Sequence, residues 1–298
     1  MYKRQVSGTQ NGVYFGDGDH TGGVVNNVGT ISSDSRAFNI DGNGLTLNNT
    51  GDILATGAQR NGTVYADGTS DNFSIFNSGS IDARGGSGSG ISVEVGSFAG
   101  DVQNGSIVNT GQIFGSGGGP LDAGIRFFSN DVGTAFSGDI INNQGASISA
   151  EGSTAAVLFD SAVQFDGILK NAGSIDGSIF LSDGDLVLTS SSELFLDINS
   201  LTDFEVFETT GDLVANGTLN LSFDDFIPTI GQTFDLFDFG FANGSFDLIQ
   251  SDGFLLDTSD LLVGGSVTVV GAAVPEPTTF VVLGFAGLMF AGRRRRSV

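Results

Sequence analysis

The chain has 298 residues and a formal net charge of -23, which excludes nucleic acid as a partner of its main part because the two would repel each other. Its lack of cysteine excludes a disulfide framework, a thiolate nucleophile and a Cys-ligated zinc site. Only 15% of the residues are charged and 47 are glycine, so neither a highly charged disordered chain nor a coiled coil fits the composition.

The N-terminal residues have a basic start, but no apolar stretch of seven or more residues follows it. A secretory signal peptide is therefore not recognisable here, and two explanations would account for such a start in an exported protein. Either another export route is used, or the true beginning of the chain is missing, and the second is favoured. Residues 12–15 are typical of the middle of a repeat unit, so we expect residues 1–182 to be N-terminally truncated.

A sequence unit of the form apolar-x-Asn-x-Gly-x-Ile occurs six times between residues 25 and 175. It alternates apolar with small or polar residues, the period of a half-buried strand, and Asn and Gly interrupt it where the backbone bends. The fifth copy is interpreted as carrying one inserted residue. The members of the units are Asn27, Gly29 and Ile31; Asn49, Gly51 and Ile53; Asn77, Gly79 and Ile81; Asn109, Gly111 and Ile113; Asn143, Gly145 and Ile148; and Asn171, Gly173 and Ile175.

A second short apolar strand follows each of the first five units, as at residues 38–40 and 125–127. The asparagines of successive units are 22 to 34 residues apart, and the spacing varies mainly in loops rich in Gly, Ser and Asp. Short strands of constant length joined by variable loops predict an all-β fold, a right-handed parallel β-helix or β-solenoid. Residues 1–182 are predicted to form its coils, each burying its apolar face by stacking on its neighbours.

The repeated asparagines have two possible roles. They could form a row of carboxamides that binds glycan or Ca²⁺. Alternatively they could form an internal ladder, each side chain bonded to the next coil at a turn. The internal ladder is favoured because the unit lies between apolar positions that are expected to be buried.

Residues 183–272 contain alternating strands without the Asn unit, and Asn-Gly pairs at 216–217 and 243–244 supply sharp turns. We predict β-rich C-terminal coils and a cap here, because a repeat protein must cover its terminal apolar face. Residues 231–246 resemble the last coils of autotransporter passengers. The repeats themselves resemble the β-helical passengers of autotransporters and related adhesins, which implies a rod-shaped exported body.

The last segment, residues 273–298, has three parts in order. Pro275, Glu276 and Pro277 end the preceding fold, since prolines interrupt strands and helices. The uncharged run at 280–292 would reach only about 20 Å as a helix against a hydrocarbon core of roughly 30 Å, so it predicts one short transmembrane helix. Its large apolar residues include Phe280, Leu283, Phe285, Leu288 and Phe290, and it is followed by Arg293, Arg294, Arg295 and Arg296.

This order of parts at the C-terminus resembles the PEP-CTERM sorting signal of Gram-negative bacteria. By the positive-inside rule the four arginines would stay cytoplasmic, which places the main part of the chain across the membrane. The resemblance implies export through the general secretory route, recognition by an exosortase, a transient inner-membrane intermediate and cleavage near residues 275–277. The mature protein would then reach the cell surface or an extracellular polysaccharide matrix.

The search for a catalytic or metal site returns few candidates. His20 is the only histidine, so a multi-His metal site is excluded and a Ser-His-Asp triad would have to include it. Asp17 and Asp19 beside it are interpreted as turn residues rather than as Ca²⁺ ligands. The sequence therefore predicts no metal and no cofactor, with Ca²⁺ as the weaker alternative.

Two carboxylate pairs, Asp183 with Asp185 and Asp224 with Asp225, are expected by chance in so acidic a chain and predict a solvated face rather than a catalytic site. We therefore predict a non-catalytic exported structural protein or adhesin that binds polysaccharide or cell surfaces by multivalent display. The alternative is a polysaccharide lyase or glycoside hydrolase. A groove lined by three or more converging acids with an arginine or an aromatic platform would favour the enzyme, and smooth stacked faces would favour the adhesin.

Overall fold

The computed structural model describes residues 2–8, 11–117, 119, 122–151, 155–223 and 226–272, without the side chains of residues 2–8, 11, 16–20, 58–61 and 87. Every helix or strand in these ranges is a β-strand, so the all-β prediction is confirmed. Within the same ranges no helix is long and apolar enough to cross a membrane. The predicted membrane segment at 280–292 lies outside the described residues.

Thirty strands follow one another in the described part of the chain. They are β1 (Tyr2–Gly8), β2 (Asn11–Ser33), β3 (Arg36–Asn49), β4 (Asp52–Ala55), β5 (Ala58–Ala66), β6 (Phe73–Asn77), β7 (Ser80–Asp82), β8 (Ser87–Glu94), β9 (Val102–Asn109), β10 (Gln112–Gly115), β11 (Ile125–Phe128), β12 (Thr134–Ser137), β13 (Ile140–Asn142), β14 (Ser147–Ala150), β15 (Ala155–Phe159), β16 (Val163–Asp166), β17 (Ile168–Asn171), β18 (Ser174–Asp176), β19 (Ser178–Phe180), β20 (Asp185–Leu188), β21 (Glu193–Asp197), β22 (Phe207–Glu208), β23 (Asp212–Ala215), β24 (Thr218–Ser222), β25 (Thr233–Asp235), β26 (Phe237–Asp238), β27 (Phe241–Gly244), β28 (Leu248–Ser251), β29 (Phe254–Asp257) and β30 (Ser266–Ala272).

The strands repeat in coils, and equivalent strands of successive coils pair in parallel. Face A contains the C-terminal part of β3, then β6, the C-terminal part of β9, β13, β17, β20, β23 and β27. Face B contains β4, β7, β10, β14, β18, β21, β24 and β28. Face C contains the N-terminal part of β3, then β5, β8, β11, β15, β19, β22 and β26. Strand β2 pairs with β3 or β4 on all three faces, and β1 precedes β2 on faces A and B.

A long parallel sheet of this kind fits the predicted β-solenoid, and the right-handed sense stays a prediction. One apolar column shows how the coils are held together. From β2 to β24, face B directs the same inward position of each coil into the core, and each of these side chains is buried: Ile31, Ile53, Ile81, Ile113, Ile148, Ile175, Leu194 and Leu219. Each such burial contributes about 2 kcal/mol, and each requires a neighbouring coil on both sides.

The asparagines form a buried row at the corner between faces A and B. The Nδ2 of each donates to the Oδ1 of the next, at 2.7 Å from Asn27 to Asn49, 2.8 Å from Asn49 to Asn77 and 2.8 Å from Asn77 to Asn109. The same nitrogen also donates to a backbone carbonyl of the next coil, as from Asn77 to Gln112 at 3.0 Å. The asparagine side chains therefore satisfy each other's hydrogen-bonding groups, and the row lies inside the body rather than on a ligand-binding surface.

The fifth member of the row is Asn142, and the assignment of Asn143 was wrong. Asn142 accepts from Asn109 at 2.9 Å and donates to Asn171 at 2.7 Å. Strand β13 buries Ile140 and exposes more of Ile141, so the inward position two residues after Ile140 is Asn142. Asn143 instead lies outside the corner, where its Nδ2 donates to the carbonyl of Asn109.

The glycines of the first four units stack directly on one another at the same corner. A Cβ on Gly51 would collide with the carbonyl oxygen of Gly29, and one on Gly79 would collide with that of Gly51. In the fifth coil the residue two positions before Ile148 is Ala146, which shows that the assignment of Gly145 was also wrong. Gly145 lies in a turn with φ 79°. The corner of this coil, from Asn142 to Ile148, is therefore two residues longer than the corner from Asn27 to Ile31.

A three-stranded antiparallel sheet, in the order β25-β30-β29, follows the last coils. Phe234 of β25 is buried and contacts Phe223 edge-on, at 5.9 Å between ring centroids. The parallel pairing continues without interruption across residue 182, through β17–β20 and on to β28. The boundaries proposed at 182 and 272 stay predictions.

Candidate functional site

A groove lies beside face B where that face meets a loop between β21 and β22. Its cavity volume is about 540 Å³. Four of its lining residues are acidic and one is basic, and they come from four different coils. The lining consists of Arg84, Phe114, Ser149, Ala150, Glu151, Asp176, Asp197, Asn199 and Glu205.

Coil stacking brings the carboxylates of this groove together. Asp176 follows Ser149 in the outward column of face B, because β14 and β18 pair in register. Asp197 ends β21, and the chain then turns back through an antiparallel bridge between Ile198 and Phe204. This loop returns Glu205 to the wall of the groove beside Asp197.

Two hydrogen bonds hold Glu205 in place. The backbone N–H of Asp197 donates to Oε2 of Glu205 at 2.8 Å, and the backbone N–H of Glu205 donates to the carbonyl of Asp197 at 2.9 Å. Glu205 is only 7% exposed. Its carboxyl group therefore both closes the loop and lines the groove.

Burial, the largest cause, and the negative charges of Asp197, Asp176 and Asp203 together raise the pKa of Glu205 to about 8, against the lowering effect of its backbone hydrogen bond. Burial in the groove also raises the pKa of Asp176, with a contribution from the charge of Asp197. At neutral pH Glu205 is thus mainly protonated beside carboxylates.

Arg84 and Phe114 form the opposite end of the groove. The guanidinium group of Arg84 lies 3.7 Å from the centroid of the Phe114 ring, a cation–π contact. It also forms a bidentate ion pair with Asp82, with Nε and Nη2 donating at 3.0 and 2.8 Å. Because Arg84 covers one side of the ring, Phe114 supplies at most one face to a ligand.

A protonated carboxyl group next to an ionised one is the arrangement that general acid–base chemistry uses. A buried carboxylic acid donates a proton to a leaving group, while a neighbouring carboxylate acts as base or nucleophile. Glycoside hydrolysis uses such a pair across a cleft. The groove places the buried carboxyl group of Glu205 beside Asp197 and Asp176, and the hydrogen bond from the backbone N–H of Asp197 also gives Glu205 a structural use.

The carboxylates considered from the sequence lie elsewhere. Asp183 accepts from the hydroxyl of Thr210, and Asp185 accepts from the backbone N–H of Asp212, so both bind the following coil. The side chains of Asp17, Asp19 and His20, and both residues 224 and 225, lie outside the described residues. Among the residues that are described, no group of three or more His, Asp or Glu could hold a metal ion.

The groove is not visible in the sequence because its acids are separated by up to 54 residues, from Glu151 to Glu205. Asp176 directly follows the sixth repeat unit, and Glu205 lies between Phe204 and Val206. An acid between two apolar residues is a weak signal for a buried carboxyl group. Only the pairing of β18 with β21 and the turn at Ile198 bring these residues together.

The comparison with protein families identifies the class of signal at the C-terminus. Residues 273–296 match the family model described as the PEP-CTERM protein-sorting motif. The match includes Pro275, Glu276, Pro277 and the four arginines, and it lies outside the described residues. No curated protein matches the chain.

The chain therefore carries a PEP-CTERM sorting motif at residues 273–296, after a strand-rich body with a long parallel sheet. The motif is a sorting signal that an exosortase recognises, and it implies export through the membrane to the cell surface. The body by itself identifies neither an adhesin nor an enzyme.

Proposed function

We propose that the protein is a non-catalytic structural protein or adhesin of the cell surface or extracellular matrix, sorted by its C-terminal signal in a Gram-negative bacterium. The observation that supports this is the continuous parallel ladder, which repeats outward positions at about 4.8 Å per coil along faces A and B. Weak contacts with an extracellular polysaccharide or a neighbouring cell then add up through avidity. Ca²⁺ is not required by this mechanism.

The sorting step is tested by comparing cells that produce the full chain, a chain without residues 273–298, and the full chain without the exosortase. Only the first is expected to carry the body on the cell surface with a mature C-terminus that lacks Arg293–Arg296. Surface labelling and mass spectrometry measure both properties. An exported protein that still ends in the four arginines would contradict the cleavage.

A second candidate function is hydrolysis of a polysaccharide in the groove. The observation that favours it is the convergence of Asp176, Asp197 and Glu205 with Arg84 in one cavity. In this function Glu205 is the general acid and Asp197 the base or nucleophile. Converging acids beside an arginine are the lining that we expect of a polysaccharide-acting enzyme.

One pair of variants separates the two functions. The double variant Asp197→Asn and Glu205→Gln keeps the shape of the groove and removes both ionisable groups, and the exposed Glu193→Gln on the same strand serves as control. A structural protein keeps its matrix or adhesion phenotype in both variants. An enzyme loses turnover of matrix polysaccharide by about 100-fold or more in the double variant only.

A further inference from the structure

Face A carries an unpaired apolar stripe on its outer side. The coils are numbered here by their face A strands, from β2 in the first coil to β27 in the ninth. From the third to the eighth coil one outward position is apolar, except for a lysine in the sixth, and the pairing of the strands places these residues in one column. The stripe consists of Phe76, Val108, Ile141, Lys170, Val187 and Val214. Phe76 is 43% exposed and Val214 36%, and the three other apolar residues are half-buried.

A second outward column, the flanking row, runs beside the stripe two residues earlier in each strand. Its members in the same six coils are Ser74, Ser106, Asp139, Ile168, Asp185 and Asp212. Lys170 is the only basic residue of either column, and it forms no ion pair with any described residue. Contiguous exposed apolar surface of this kind marks an interaction site.

We propose that face A is the interface between two copies of this chain, which pack face to face with their coils in opposite directions. The sixth coil, with Lys170, lies opposite the fifth coil of the partner copy, with Asp139. A two-fold axis along the strands relates the copies, so each contact occurs twice.

Charge complementarity selects this register. The acids of the flanking row are in the fifth, seventh and eighth coils, and the arrangement places them opposite the sixth, fourth and third coils of the partner copy. Asp139 then lies diagonally opposite Lys170, while Asp185 and Asp212 lie opposite Ser106 and Ser74. Every other antiparallel register either puts carboxylates opposite each other or leaves Lys170 without an acid, and parallel packing brings the two lysines together.

The size of the face sets the expected strength. Eight overlapping coils at about 4.8 Å and strands about 13 Å long give face A a projected contact area of roughly 500 Å². This is below the ~800 Å² per partner of a standard interface. The net charge of -23 on each chain also repels the copies. Association is therefore expected to be weak and to increase with salt, since screening removes the long-range repulsion while apolar contact remains.

Sedimentation velocity of the exported protein at about 10 to 100 µM tests the proposal in 0.05 and 0.5 M NaCl. Lys170→Glu and Asp139→Lys each place like charges opposite each other, and each is expected to weaken dimerisation by about tenfold. The charge-swapped double variant restores the pair and is expected to return within about threefold of the original chain. Gln164→Glu, exposed on β16, controls for added charge away from face A.

Three results would overturn the proposal. They are a chain that remains monomeric at both salt concentrations, a dimer that Lys170→Glu leaves unchanged, and a double variant that stays as weak as the single ones. Both positions are exposed, so far-UV circular dichroism is expected to show the same fold in all variants. If Lys170→Glu lowers the melting temperature, Lys170→Gln provides the same test without a new carboxylate.

Discussion

Each interior asparagine of the buried row hydrogen-bonds to both neighbouring coils through its side-chain amide, so its removal leaves several groups unpaired. Asn109 donates to Oδ1 of Asn142 and to the carbonyls of Ser147 and Gly111. Asn109→Leu takes these donors away and is expected to lower the free energy of unfolding by about 2 to 4 kcal/mol. Urea denaturation followed by circular dichroism measures the change.

The end of the row supplies a matched control. The next residue in the column after Asn171 is Leu188, which is buried without an amide partner. Asn171→Leu therefore extends an existing apolar column and disturbs only one neighbouring amide, so its cost should be about half that of Asn109→Leu. Equal costs for the two variants would show that the amide-to-amide bonds contribute nothing specific.

Glu205 makes stability depend on pH in a direction opposite to that of an ion-paired acid. Its pKa is about 8 in the folded protein against an ordinary value of 4.5, because burial and neighbouring carboxylates disfavour its charge. The folded state therefore keeps a proton that the unfolded chain releases between these values. The stabilisation of the folded state by this proton is complete below pH 4.5 and is lost as the pH rises through about 8.

Glu205→Gln mimics the protonated acid at every pH and tests this dependence. The original chain should lose stability relative to the variant between pH 5 and 9, by on the order of 4 kcal/mol. Chemical denaturation at a series of pH values measures the difference. Glu193→Gln, which removes an exposed acid on β21, should show no comparable dependence, and a parallel pH profile for Glu205→Gln would contradict the raised pKa.

At the scale of elements, strand positions could be predicted because alternation alone decides which residues face the core. The second apolar strands at residues 38–40 and 125–127 lie in register on face C as expected. The fifth unit was misplaced because Asn143, with Gly145 two residues later, fits the pattern apolar-x-Asn-x-Gly, whereas Asn142 fits only its first half, apolar-x-Asn. Only the burial of Ile140 decides between them, and a one-residue shift exchanges the inward and outward faces.

The groove could not be predicted in the same way, because it depends on a loop rather than on a period. Residues 199–204 contain no repeated pattern, and their path is fixed by the bridge between Ile198 and Phe204 and by the carboxyl group of Glu205. The acids that meet there come from β18, from β21, from the residue after β14 and from the loop before β22. Local sequence carries no information on such distant contacts.

At the scale of the whole molecule, the parallel ladder concentrates like charges. Residues 5–274 contain five basic and 33 acidic residues, a net charge of -28. Stacking repeats coils at about 4.8 Å, well inside the Debye length of ~10 Å at 0.1 M salt, so equivalent acids of neighbouring coils repel each other. The unfolded chain separates these charges, and the repulsion therefore favours unfolding.

Screening by salt should reduce this repulsion and stabilise the folded chain. An increase from 0.02 to 0.5 M NaCl is expected to raise the melting temperature by roughly 3 °C or more, measured by circular dichroism. CaCl₂ at the same ionic strength is expected to give a similar rise, because no described group of acids is arranged as a metal site. A much larger rise with Ca²⁺, reversed by a chelator, would show that ion binding rather than screening stabilises the acidic rod.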